Sequence, residues 1–116
     1  MEPRISFITL GVADLERAIR FYEEGLGLPR LETAPSVTFF EMGKTWLALW
    51  SRESLAADAG LSSQNSVFPG FSLAHNVRSP EEVDALLAHV GKFGATVVRP
   101  GPVTDLGSYT GYFTDP

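Results

Sequence analysis

Thiol chemistry is closed to this chain, because its 116 residues include no cysteine. Disulfides, thiolate nucleophiles, iron–sulfur clusters and cysteine-ligated zinc are excluded together, which leaves His, Asp and Glu as the strong ligands available to a metal. There are two histidines, His75 and His89. His75 shares strand parity with Leu73 and Val77. That parity aims it toward a packed layer and suits a histidine bonded to backbone or water. His89 falls on a helix outside the apolar stripe, a solvated position. The adjacent pairs Glu23-Glu24 and Glu81-Glu82 fit helix capping and solvation better than paired acid–base work. Glu41, set between Phe40 and Met42 in a strand, faces either solvent or a binding cleft. With Tyr109 and Tyr112 it forms the short set from which a catalytic acid or base could be drawn. Neither a Gly-rich phosphate loop nor a nucleophile elbow is present; Gly25-Leu26-Gly27 follows a helix and reads as its stop.

Charge narrows the partners. Nine basic against fourteen acidic residues give a net charge of −5, and Lys and Arg nowhere cluster, so a phosphate-neutralising surface for nucleic acid is not expected. A neutral or cationic small molecule suits this field better. No apolar run approaches the roughly 20 residues of a membrane span, and the opening Met-Glu-Pro-Arg lacks a signal-peptide core. A cytoplasmic protein with no membrane partner is therefore expected. A hydrophobic share of 44% and a charged share of 20% describe one ordinary globular domain with a core of its own.

The elements that must position these residues follow from periodicity. Between Ile5 and Val12, Ile8, Leu10 and Val12 alternate with Phe7, Thr9 and Gly11, a strand with two unlike faces, the aliphatic one to be covered by a helix. Asp14 can cap that helix, whose buried stripe is Leu15, Ala18, Ile19, Tyr22 and Leu26. Strands are expected at Arg30–Thr33, Val37–Met42 and Thr45–Trp50, the last two joined at Gly43-Lys44. The result is a βαβββ module over residues 4–51. Residues 52–69 read as a connector, with helical character over Ser54–Ala59. A second module, 70–116, repeats the order: a strand at Phe71–Val77 and a helix opened by the capping box Ser79-Pro80-Glu81-Glu82. That helix has the stripe Val83, Leu86, Leu87, Val90 and Phe93 and closes at Gly94; strands follow at Ala95–Arg99 and Ser108–Thr114.

Gly11-Val12-Ala13-Asp14-Leu15-Glu16-Arg17-Ala18, followed by Phe21-Tyr22 and Gly25-Leu26-Gly27, resembles the opening of the vicinal oxygen chelate superfamily of glyoxalase I, bleomycin-resistance proteins and extradiol dioxygenases. The closing Gly111-Tyr112-Phe113-Thr114-Asp115-Pro116 is similar to the family segment that introduces a final strand. Leu73-Ala74-His75-Asn76-Val77-Arg78-Ser79 and Ala48-Leu49-Trp50 resemble small glyoxalase-like members without an assigned reaction. The resemblance implies an α+β fold in which two βαβββ modules form a curled mixed sheet around a cleft. The last strand of module two would lie beyond Pro116, so a trimmed or partly ordered chain is expected. It also implies metal-ligand positions in metal-dependent members. Here three of them carry Phe7, Ala48 and Ser72, and the fourth lies past the last residue. A phenyl ring, a methyl group and a lone hydroxyl are poor ligands for a divalent ion, so no metal or other cofactor is expected.

If ligand parity marks the cleft, its wall includes Phe7, Thr9, Trp46, Ala48, Trp50, Ser72, Ala74 and Asn76. Such a wall either binds a flat or apolar molecule by stacking and burial, or fills itself as core or packs on another subunit. The expected function is metal-independent binding of a small apolar, aromatic or cationic molecule, with Phe7, Thr9, Trp46, Trp50, Ser72 and Asn76 as ligand contacts. The alternative is a lyase, isomerase or oxygenase that uses Glu41, Tyr109 or Tyr112, or a metal completed outside this chain. A homodimer is expected on either reading, as family members commonly pair.

Overall fold

The computed structural model describes residues 1–31, 36–64, 68–101, 107–114 and 116. In chain order the elements are β1 (Phe7–Val12), α1 (Leu15–Arg20), β2 (Arg30–Leu31), β3 (Val37–Met42), β4 (Thr45–Ser51), α2 (Arg52–Asp58), β5 (Phe71–Ala74), α3 (Pro80–Gly91), β6 (Thr96–Arg99) and β7 (Tyr112–Thr114). This is the α+β class expected, with a mixed five-stranded sheet and three helices. Two compact units divide the chain: a sheet unit of residues 3–57 and 62–76, and a hairpin unit of residues 1–2, 58–61 and 77–116.

In the sheet unit the strand order is β2-β3-β4-β1-β5. β1 runs parallel to β4 and antiparallel to β5, and β3 runs antiparallel to β2 and β4. A parallel pair needs a long crossover, which α1 with β2 and β3 supplies. The Asp14 carboxylate accepts from the Arg17 N–H at 3.1 Å, as its cap position predicts. The helix was expected to carry its stripe to Leu26, and here the structure differs. After Arg20 the backbone widens over Phe21–Gly25, and the Leu26 N–H bonds back five residues to the Phe21 carbonyl at 2.9 Å. The extra residue in that turn rotates the stripe, and Leu26 is left 57% exposed.

Tyr22 still lies over the sheet, its ring centroid 6.1 Å from that of Phe40. Phe40 and Leu49 are completely buried on this side. The helical cover is shorter than the aliphatic pattern of β1 suggested, because α1 has only six residues; Ile8 and its cross-strand neighbour Leu73 remain exposed. At the β3–β4 turn, Gly43 has φ +70° while Lys44 keeps a negative φ, the arrangement of a two-residue type II′ hairpin. Strand β2 is described over Arg30–Leu31, and the rest of the run expected to Thr33 falls outside the described residues.

The connector is more ordered than its composition suggested. α2 starts at Arg52, two residues ahead of the expected helical stretch, because the Ser51 hydroxyl accepts the Ser54 N–H at 3.1 Å and so caps it. Leu55 and Ala56 are buried. Gly11 allows this close packing: a Cβ there would stand 3.2 Å from both the Arg52 Cα and the Gly70 carbonyl oxygen. Arg52 holds the return of the chain, donating to the Phe68 carbonyl at 3.1 Å with its guanidinium 4.9 Å from the Phe68 ring centroid. β5, expected to Val77, ends at Ala74. Beyond it side chains take over the pairing: the Ser6 hydroxyl accepts the Asn76 N–H at 3.1 Å, and Arg4 donates to the Asn76 carbonyl at 2.7 Å. The strand placed at the head of module two therefore belongs to the sheet of module one.

In the hairpin unit α3 begins as the capping box predicts. The Ser79 hydroxyl accepts the Glu82 N–H at 3.2 Å, while the Glu82 carboxylate accepts the Arg78 N–H at 2.6 Å. Leu87 is its buried residue. Phe93 was expected on the stripe but is 72% exposed, because α3 ends at Gly91. The Lys92 and Phe93 N–H groups then bond three residues back, and Ala95 bonds to the Val90 carbonyl around Gly94 at φ +96°. β6 and β7 pair antiparallel with a register shift between Val97 and Arg99. The expected final strand from Ser108 is shorter, starting at Tyr112. Among the described residues no helix is long and apolar enough to cross a membrane.

Candidate functional site

Strand register decides which side chains share the second face of the sheet. Phe7 lies level with Trp46 and Ala74, and Thr9 with Ala48 and Ser72. Across the β3–β4 hairpin, Glu41 is level with Trp46, Phe39 with Ala48, and Val37 with Trp50. Residues level with one another point to the same side. Phe7, Thr9, Phe39, Glu41, Trp46, Ala48, Trp50 and Ser72 therefore form one face, opposite the side that carries Phe40 and Leu49.

Three rings dominate it. The Phe7, Phe39 and Trp46 centroids lie 5.6 Å (Phe7–Phe39), 5.8 Å (Phe39–Trp46) and 5.9 Å (Phe7–Trp46) apart, with tilted or edge-on planes. These are the spacings of mutually favourable ring contacts. The face is graded along the strands. At one end Val37 and Ala48 are buried, and the Trp50 indole Nε1 is buried without a hydrogen-bond partner among the described residues. At the other end Trp46 is 37% exposed and Glu41 is exposed.

Of the residues expected to contact a ligand, Phe7, Thr9, Trp46, Trp50 and Ser72 fall on this face. Asn76 lies past the end of β5, where its backbone is held by Ser6 and Arg4. Phe39 was not anticipated. Its signal was available, since a two-residue turn at Gly43-Lys44 sets Met42 against Thr45, and counting back places Phe39 beside Ala48 and Glu41 beside Trp46. The same count assigns Glu41 to the aromatic face.

The tyrosines belong to the hairpin unit and bond within it. Tyr112 donates to the Asp58 carboxylate at 2.8 Å, and Arg99 holds the same carboxylate at 3.2 Å and the Asp58 carbonyl at 2.6 Å. Burial first, then the bond to Asp58, pushes the Tyr112 phenol far above the ordinary tyrosine range. The hydrogen bond to Asp84 at 2.8 Å, then desolvation and the nearby carboxylate charges, raises Tyr109 as well. Both phenols stay protonated at neutral pH, so each is a donor and a poor base. His75, one residue past the end of β5, bonds to the Arg4 carbonyl through Nδ1 at 3.0 Å, a backbone contact and so one of the two partners expected for it.

The donor set on the aromatic face does not fit a divalent ion. Phe7 and Ala48 offer no lone pair, Thr9 and Ser72 offer one neutral hydroxyl each, and Glu41 at the open end is a single carboxylate with no second charged or imidazole ligand beside it. Among the described residues no three His, Asp or Glu side chains converge. A shallow depression along α1, bordered by Asp14, Arg17, Arg20, Phe21 and Glu24, is walled by the solvated side of that helix and brings no chemistry together.

A family model described as the Glyoxalase/Bleomycin resistance protein/Dioxygenase superfamily matches residues 4–116, and the chain belongs to that superfamily. It is 35% identical to a glyoxalase-related enzyme from Fulvimarina pelagi, over 98% of this chain and 81% of that one, with a TM-score of 0.50. A protein described as NAD-dependent benzaldehyde dehydrogenase from Legionella pneumophila superposes with a TM-score of 0.72 at 23% identity, over 95% of this chain and 89% of that one. A hypothetical protein from Bacillus halodurans C-125 does so with 0.60 at 20% identity, over 96% and 83%. The last two share the fold.

Proposed function

We propose that the aromatic face of the sheet unit binds a small, flat, largely apolar molecule without a divalent metal and without covalent change. The observation that carries this reading is the ring cluster of Phe7, Phe39 and Trp46, partly exposed on a strand face whose donor set is unsuited to a metal. Rings that keep part of their surface in water on a sheet gain from a stacking partner, and few polar groups are needed to orient it. The orphaned Trp50 N–H supports the reading. A buried donor without an acceptor costs about 1–3 kcal/mol, a deficit that a ligand oxygen reaching the closed end of the face would relieve.

Elemental analysis and a thermal-shift screen test the proposal together. Purified protein carries no stoichiometric zinc, nickel or iron, and planar aromatic compounds raise Tm equally with and without a chelator. One equivalent of metal, or a Tm response that needs added metal, would sink it.

A second reading, a lyase, isomerase or oxygenase-like enzyme, draws support from the position of Glu41 level with Trp46, where a carboxylate could serve as acid or base. Loss of turnover in Glu41→Gln, with binding of the turned-over compound retained, would favour it.

A further inference from the structure

The charges on the aromatic face are of one sign. Arg30 is level with Phe40 and so points to the opposite side, and Lys44 sits in the hairpin turn. Among the described residues the strands present no Lys or Arg on this face, and Glu41 is its one ionisable side chain. The Glu41 carboxylate has no hydrogen bond or ion pair among the described residues. It stands level with Trp46 at the open end, next to three rings whose π faces carry negative potential. The whole chain, at −5, adds a field of the same sign.

We propose that the molecule bound here is a planar organic cation, such as an N-alkylated heteroaromatic ring, and that Glu41 selects for its charge. This rests on the reading of the face as a binding surface and adds the chemical class of the ligand. The apolar plane of such a molecule covers Phe7, Phe39 and Trp46, and its positive edge lies toward Glu41 at the water-accessible end. A delocalised cation loses little hydration on stacking, so the ring attraction is not cancelled by desolvation, as it would be for a compact ammonium ion. An anion is repelled by Glu41 at the open end, and a neutral molecule gains nothing from that carboxylate. The combined ring and carboxylate attraction corresponds to about a tenfold preference for a cation over its neutral isostere.

The test is calorimetric titration of 1-methylquinolinium and of quinoline, which is neutral at neutral pH, into the wild-type chain, Glu41→Gln and Trp46→Ala. The expected result is about tenfold tighter binding of 1-methylquinolinium by wild type. Glu41→Gln reduces that preference to about threefold or less. High salt weakens the cation and spares quinoline. Equal affinity for the two probes, or a preference that survives Glu41→Gln, overturns the charge assignment. Quinoline binding that is lost in Trp46→Ala would then still uphold the binding surface. Failure of both probes to bind wild type overturns the binding surface and the charge assignment together.

Discussion

The two sides of one five-stranded sheet are built from the same kinds of residue and end differently. On one, Phe40 and Leu49 are sealed beneath α1 and its widened last turn. On the other, Phe7, Phe39 and Trp46 meet one another, and Trp46 keeps 37% of its surface. An aromatic side chain is core when a second layer covers it and a binding element when none does, and strand parity alone cannot separate the two cases. What sets the second side apart is register, which gathers three rings, an orphaned indole N–H and one carboxylate there, whereas the first side leaves Ile8, Phe71 and Leu73 exposed beyond the cover of its short helix.

The contrast can be broken by mutation. Phe40→Ala is expected to cost about 3–5 kcal/mol in urea unfolding, because it leaves a cavity in a site with no exposure. A loss below about 1 kcal/mol would show that this side is no better packed than the other. Gly11→Ala presses a Cβ to 3.2 Å from two backbone atoms and is expected to cost about 1–3 kcal/mol, read as a lower Tm. Trp46→Ala, on the open side, costs about 1–2 kcal/mol of stability but removes ligand binding.

The hairpin unit supplies a pH test. The Tyr112 phenol is raised above its ordinary pKa of 10.0, so the folded chain holds that proton more tightly than the unfolded one. Its contribution is complete below pH 10.0 and is lost as pH climbs beyond that value. Tyr112→Phe should flatten the alkaline decline seen in urea unfolding at rising pH; an unchanged slope would contradict the bond to Asp58. Smallest of all, Glu41→Gln should leave Tm unchanged within the equivalent of about 0.5 kcal/mol, as an exposed surface site does.

Much of this was legible in the chain itself. The caps at Asp14 and Ser79, the Gly43-Lys44 turn and the alternation in β1 are local signals, and each appears in the structure where its chemistry places it. The parity that grouped Phe7, Thr9, Trp46, Trp50 and Ser72 rests on a period of two, which is robust over short strands. What escaped reading depends on interactions remote in sequence or on small shifts of helical phase. Leu26 and Phe93 have the spacing of buried residues, but a widened turn moves one off the stripe and early helix termination leaves the other outside. Ser51 shows no signal of its own until the Ser54 N–H is seen three residues on, donating to its hydroxyl. Phe39 and the side taken by Glu41 needed the hairpin count to be carried across the turn.

The central claim is that an aromatic sheet face, without a metal, is the binding element. Its most direct test is calorimetric titration of 1-methylquinolinium into metal-stripped wild-type protein and into Trp46→Ala. Saturable binding at one site per chain in the stripped wild type, lost in Trp46→Ala while that variant remains folded by circular dichroism, is the predicted result. Binding that appears only after a divalent metal is restored, or that is unchanged in Trp46→Ala, would contradict it.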